Sequence, residues 1–127
     1  MVRSREKAGG LQLVKVLILE DNLMWSVRLK KAAQAAGHEC SIRSSFGKDL
    51  PKADVAVVGL GSRTIDPREA VPGLKSTGAY VIGHAGHKEP DLLELGRALG
   101  CDRVVTNGEI ARKFVEMVAE AEQSCQD

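Results

Sequence analysis

Two nearly unbroken apolar runs, LVKVLILE (13–20) and DVAVVGL (54–60), constrain this chain more than anything else in it. A strand exposed on one face alternates polar and apolar residues. A strand that is apolar throughout must be covered on both faces, which points to a parallel sheet between two layers of helices. Shorter runs of the same kind recur in HECSIR (38–43), AYVIG (79–83) and DRVV (102–105).

The intervening stretches have helical signals. In DNLMWSVRLKKAAQAAG (21–37), Trp25, Leu29, Ala32, Ala33 and Ala36 recur every three to four residues and define one apolar stripe, closed by Gly37. DPREAV (66–71) starts a helix with Asp66 as N-cap, Pro67 in the first turn and Glu69 completing a capping box. Pro72–Gly73 is expected to break or kink that helix, leaving a short helical piece to Thr77. EPDLLELGRAL (89–99) is a helix stopped by Gly100. Thr106 and Glu109 cap a last helix in which Ile110, Phe114, Met117, Val118 and Ala121 share a face. The segment 44–53 is too short for a full helix with two loops.

The expected architecture is therefore α/β: a three-layer α/β/α, doubly wound, five-stranded parallel sheet of flavodoxin-like type. Residues 1–12 are expected as a flexible N-terminal tail, 13–122 as a single domain and 123–127 as a C-terminal tail. A length of 127 residues suits one domain with a real core. A formal net charge of +1 gives no global attraction to nucleic acid or acidic lipid. With one Trp, one Tyr and two Phe, base stacking has little to work with. RSREK (3–7) reads as a solvated tail. No run is long and apolar enough for a membrane span, and no signal peptide is recognisable. Cys40, Cys101 and Cys125 are scattered, without a CxxC, which suits reduced thiols in a cytoplasmic protein.

In doubly wound sheets, sites form beyond the carboxyl ends of the strands. Those ends carry Glu20–Asp21, Gly59, His84 and Thr106–Asn107. VLILEDNLMWSVRLKKAAQAAGHEC, ADVAVVGL, YVIGHA and GCDRVVTNG, from about Val14 to Met117, together resemble the receiver domain of bacterial response regulators. The resemblance implies that Glu20 and Asp21 match the metal-binding acidic pair and Gly59 the phosphoacceptor aspartate. It places His84 on the hydroxyl residue and Asn107 on the lysine, and the segment matching the second helix is several residues short. The chain thus looks like an atypical pseudo-receiver. Glycine supplies no nucleophile for an acyl phosphate, and magnesium loses one of its hard oxygen ligands. A lysine left without its carboxylate would be a buried unpaired charge, costing about 3–5 kcal/mol, which neutral Asn107 avoids.

The resemblance, with these residues changed, implies a non-enzymatic module, without cofactor or resident metal (Glu20 and Asp21 being weak metal candidates), acting through protein–protein contact in signalling. The resemblance places the partner or homodimer face on the last two helices and the strand between them, residues 88–121. With no output domain attached, its effect is expected in trans. The competing reading is a small-ligand sensor for phosphate, nucleotide or metal, using Asp21, Arg63, His84 and His87. Several narrower expectations accompany these. His84 pairs with Asp21, or else both carboxylates are solvated and cap the first helix. GLGSRT (59–64) is a flexible loop filling the space over Gly59, with a phosphate-binding turn as the alternative. HAGH (84–87) is loop polarity more than a metal motif, and Cys101, at the opposite end of the sheet, forms no dyad with His84. Trp25 belongs to the core and His38 to the surface. The inert-adaptor reading rests on the third strand delivering bare backbone into the crevice, with no other carboxylate standing there.

Overall fold

The computed structural model describes residues 7–8 and 11–126, with side-chain surroundings for 13–123. Five strands and four helices follow one another: β1 (Lys15–Leu19), α1 (Leu23–Ala35), β2 (Glu39–Arg43), β3 (Val55–Gly59), α2 (Pro67–Ser76), β4 (Tyr80–Ala85), α3 (Pro90–Leu99), β5 (Arg103–Thr106) and α4 (Asn107–Gln126). A two-residue antiparallel pairing, Lys7–Ala8 against Leu11–Gln12, precedes them in the stretch expected as a tail. The rest of that stretch, 1–6 and 9–10, lies outside the described residues. At the other end α4 continues through Gln126, past the expected tail start at 123, with a non-helical residue at Lys113.

The strands form one parallel sheet in the order β2-β1-β3-β4-β5. This is the flavodoxin-like order, and its central strand, β3, is buried at every residue. Side chains alternate across the sheet and build two cores. Val16, Ile18, Val55, Val57, Ile82 and Val105 face α1 and α4, packing on Leu29, Phe114 and Met117. Leu17, Leu19, Ala56, Val58 and Val81 face α2 and α3, packing on Val71, Leu74 and Leu92.

Three local expectations are corrected. Helix α2 runs unbroken through Pro72 and Gly73. Pro72 stands on its exposed side, while Gly73 faces the ring of Phe46. A proline lacks one backbone donor, and on an exposed turn water can solvate the carbonyl left over. His38 is buried, not surface polarity; its Nδ1 accepts the Val14 N–H at 3.1 Å and ties the entry of β1 to that of β2. The buried line of α1 is Ser26, Leu29 and Ala33, so Trp25 turns half-buried toward the carboxyl rim of the sheet, with the Arg28 guanidinium 5.9 Å from its ring centre. Among the described residues no helix is long and apolar enough to cross a membrane.

Candidate functional site

A crevice of about 320 Å³ opens at the carboxyl rim of the sheet, lined by Glu20, Asp21, Trp25, Gly59, Arg63, His84, Glu89 and Asn107 among others. Its floor follows from strand register. Leu19 pairs with Val58 and Gly59 with His84, so Glu20, one residue on, stands beside Gly59. Glu20 continues the alternation of Val16 and Ile18, Gly59 that of Val55 and Val57, and His84 that of Ile82; all three face the α1–α4 side. Neighbouring strands lie about 4.8 Å apart, so Glu20 and His84 are separated by about twice that at the backbone. They meet only because the residue between them has no side chain.

Glu20 reaches across Gly59, with its Oε1 3.0 Å from His84 Nε2. A Cβ on Gly59 would collide with Glu20 Oε1 and stand 2.8 Å from its Cδ. The expectation that no other carboxylate occupies this space is therefore overturned. Strand β3 does deliver bare backbone, but Glu20 fills the volume above it. The side chains of Glu20 and His84 are 6% and 3% exposed. Glu20 Oε2 accepts the Asn22 N–H at 3.0 Å. His84 Nδ1 donates to Asn107 Oδ1 at 2.6 Å, and Nε2 faces Glu20.

Other site expectations change with this arrangement. His84 takes Glu20 as its partner, not Asp21. The Oδ2 of Asp21 accepts the Arg63 N–H at 3.0 Å. That bond holds the Asp21 carboxyl below the usual carboxylate range. Neither carboxylate caps α1: Asn22 does so, accepting from Met24 and Trp25 N–H at 2.9 and 3.3 Å. His87 is exposed and outside the crevice lining, where Glu89 stands instead. Trp25, expected in the core, joins the lining.

The 59–64 loop carries hydrogen bonds of its own. Leu60 N–H donates to His84 O at 2.9 Å, Ser62 N–H to Gly59 O at 3.1 Å and Thr64 N–H to Ser62 Oγ at 3.3 Å. Thr64 Oγ1 donates to the Ser44 carbonyl. With these donors and the Arg63 N–H already engaged, the loop offers no nest of free amides to a phosphate. Cys101 and Cys40 are half-buried, and burial pushes both thiols up to about 11, so neither is a nucleophile near neutral pH.

The resemblance implies magnesium on the acidic pair, and the residues present do not fit it. Glu20 is turned inward to an imidazole, Asp21 outward to a loop amide, and β3 supplies no third carboxylate. Among the described residues no three His, Cys, Asp or Glu side chains converge as a ligand cluster. The register that positions Glu20 over Gly59 was readable only in part. The alternation of β1 carries Glu20 inward, but sequence alone does not give the pairing that sets His84 two strands away.

No family model matches the chain, and no curated protein matches it. Solved structures do. The receiver domain of TorR, the response regulator of the TMAO respiratory system, is similar with a TM-score of 0.76 at 18% identity, over 87% of this chain and 98% of that one. The chemotaxis response regulator CheY4 of Vibrio cholerae is similar with a TM-score of 0.68 at 18% identity, over 84% and 99%. NtrX from Brucella abortus gives 0.79 at 10% identity, and there this chain, covered over 91%, spans only 28% of the larger protein. With its five-stranded parallel sheet in flavodoxin-like order, the chain has the fold of a response-regulator receiver domain.

Proposed function

We propose that this chain is a degenerate receiver-like regulator that works without phosphorylation, by contact with a protein partner or a second copy. One observation carries the reading: the position matching the phosphoacceptor is a glycine whose side-chain space is filled by Glu20. A carboxylate in that space was the finding most dangerous to an inert site, so the reason for inertness changes. The space directly above Gly59, at the floor of the crevice, is occupied by Glu20 and not empty. Glu20 is buried, one oxygen holds a backbone amide and the other lies against His84. A phosphodonor would have to break both contacts to find a nucleophile, with no lysine opposite to stabilise the product.

The contact face is α3, β5 and α4, roughly 88–121. Asp91, Glu94 and Arg97 are exposed on α3, and Val115 is 42% exposed on α4. Strand β5 pairs only with β4 among the described residues, and Arg103 on it reaches Glu120 at 3.1 Å. Magnesium with beryllium fluoride, a phosphoryl mimic, tests the reading by amide NMR. No saturable shift at Gly59, His84 or Asn107 is expected. A saturable shift there, spreading to β5, would return the chain to the phosphorylated class.

A further inference from the structure

Strand β2 ends the sheet on the side away from β5, and among the described residues it pairs only with β1. Two bonds fix the direction of its backbone. Glu39 N–H donates to the Val14 carbonyl at 3.2 Å, and the Arg43 carbonyl accepts the Glu20 N–H at 3.1 Å. Alternate residues of a strand turn their peptide groups the same way, so Glu39, Ser41 and Arg43 face β1 while Cys40 and Ile42 face outward. Of the outward groups, the Ile42 carbonyl accepts from Arg43 Nη1 of the same chain at 2.9 Å. Open edges are usually blunted by a proline, a bulge or an inward charge. ECSIR has no proline and an unbroken register, and its two charges are opposite in sign and stand at its two ends.

We infer that two copies of this chain join through β2, antiparallel about a two-fold axis at Ser41, into one continuous sheet. The backbone allows that register, and it alone pairs both charges. It sets Cys40 opposite the second copy's Ile42. Both turn N–H and C=O to the joint, so each such pair exchanges two hydrogen bonds. Ser41 lies opposite its own copy, at a position without ladder bonds. Glu39 lies opposite the second copy's Arg43, twice over by symmetry, so a carboxylate meets a guanidinium at each end of the joint. Arg43 then yields the Ile42 carbonyl to a peptide N–H and turns to the carboxylate opposite.

Helix α1 adds to the joint. It packs over β1 and β2, with the Lys30 charge bearing on the Cys40 thiol, so the side of α1 that carries Lys30 stands over the open edge. Strands about 4.8 Å apart bring the α1 helices of the two copies to roughly 10 Å, the spacing of packed helices. Leu23, Val27, Lys30 and Gln34 follow one another along that side at helical spacing. Leu23 is 73% and Val27 43% exposed in the single chain. The two helices run antiparallel, so this apolar pair meets the half of the second α1 that carries Lys30 and Gln34, and the Lys30 stem covers apolar surface. Cys40 and Ile42, half-buried under α1, gain cover from their opposite numbers. This surface lies on the opposite edge from α3, β5 and α4 and does not depend on that face, which pairing here leaves free for a protein partner.

Analytical ultracentrifugation of the full-length protein, at the concentrations of an NMR sample, should show a dimer. Glu39→Arg and Arg43→Glu should each weaken it about tenfold, because like charges then stand opposite at both symmetric positions. Glu39 and Arg43 are exposed, so neither reversal disturbs the core. Mixed in equal amounts, the two variants should form a mixed dimer, since every facing pair is again opposite in sign. In a Cys40→Ser/Cys101→Ser/Cys125→Ser background, Ser41→Cys should close a disulfide between copies under mild oxidation, because the axis brings the two positions within bonding range. Ser76→Cys, exposed on α2, should not. A monomer, an association indifferent to both reversals, no mixed dimer, or equal cross-linking at positions 41 and 76 would each overturn the assignment. None of these readouts involves a phosphodonor or the α3–β5–α4 face, so failure here leaves the proposed function standing.

Discussion

At the scale of single residues, Gly59 matters for what it allows on either side of it. With any side chain there, Glu20 and His84 are two strands apart and out of reach. Gly59→Ala therefore forces a methyl into the Glu20 carboxylate. Overpacking of this kind costs about 1–3 kcal/mol, readable as a lower urea midpoint. In a Glu20→Ser background, which clears the space, the same substitution should cost clearly less. A full cost in both backgrounds would mean that the glycine serves only the backbone. The sequence pointed to Gly59, His84 and Asn107 as a changed set, yet paired the histidine with the wrong neighbour. Adjacent Glu20 and Asp21 look alike in composition; only the strand alternation and the Asp21–Arg63 bond separate them.

His38 supports a second prediction at this scale. Burial lowers its proton affinity from the usual value near 6.5, and its Nδ1 is already engaged by Val14. The sign follows from linkage. The unfolded chain takes up a proton near pH 6.5 and the native state resists it, so stability is complete above that pH and falls as the medium is acidified below it. The opposing charge of Glu122 softens the effect. Urea midpoints measured from pH 7.5 to 5.5 should decline, and His38→Asn should flatten that decline. An equal decline in the variant would place the cause in another group.

Among the elements, α2 departs most from what its residues suggest. Proline followed by glycine ordinarily ends a helix, yet α2 passes through both because their surroundings differ. The proline is exposed, and the glycine receives Phe46 from the shortened segment 44–54. Helix propensity favours Ala over Gly by about 1 kcal/mol, but Gly73→Ala should destabilise this protein because its methyl meets that ring. The sign should reverse in a Phe46→Ala background, as equilibrium unfolding of the four variants would show. No reversal would mean that Phe46 does not dock there. Pattern reading saw the proline and glycine but could not see a partner from a distant loop. Helix α4 lies at the other extreme. Its five-residue apolar face was legible from spacing alone, and every one of those residues is buried in the core. Phe114→Ala there should cost about 3–5 kcal/mol, measured by chemical denaturation; a loss below 1 kcal/mol would deny that α4 anchors the core.

For the whole molecule, the layering was legible because it rests on a coarse property. Apolar runs without alternation require cover on both faces, and helices alternating with them can supply it only in a doubly wound sheet. The site was legible as a place, the carboxyl rim, but not as an arrangement. Which side chain crosses which strand depends on register and on one missing Cβ. In the proposed reading, Glu20 closes the position above Gly59 to phosphoryl transfer. Intact-mass analysis of the purified chain after incubation with acetyl phosphate and Mg²⁺ tests it most directly. An unchanged mass is expected; a phosphoryl adduct on Glu20 or Asp21 would show that the position still takes a phosphoryl group.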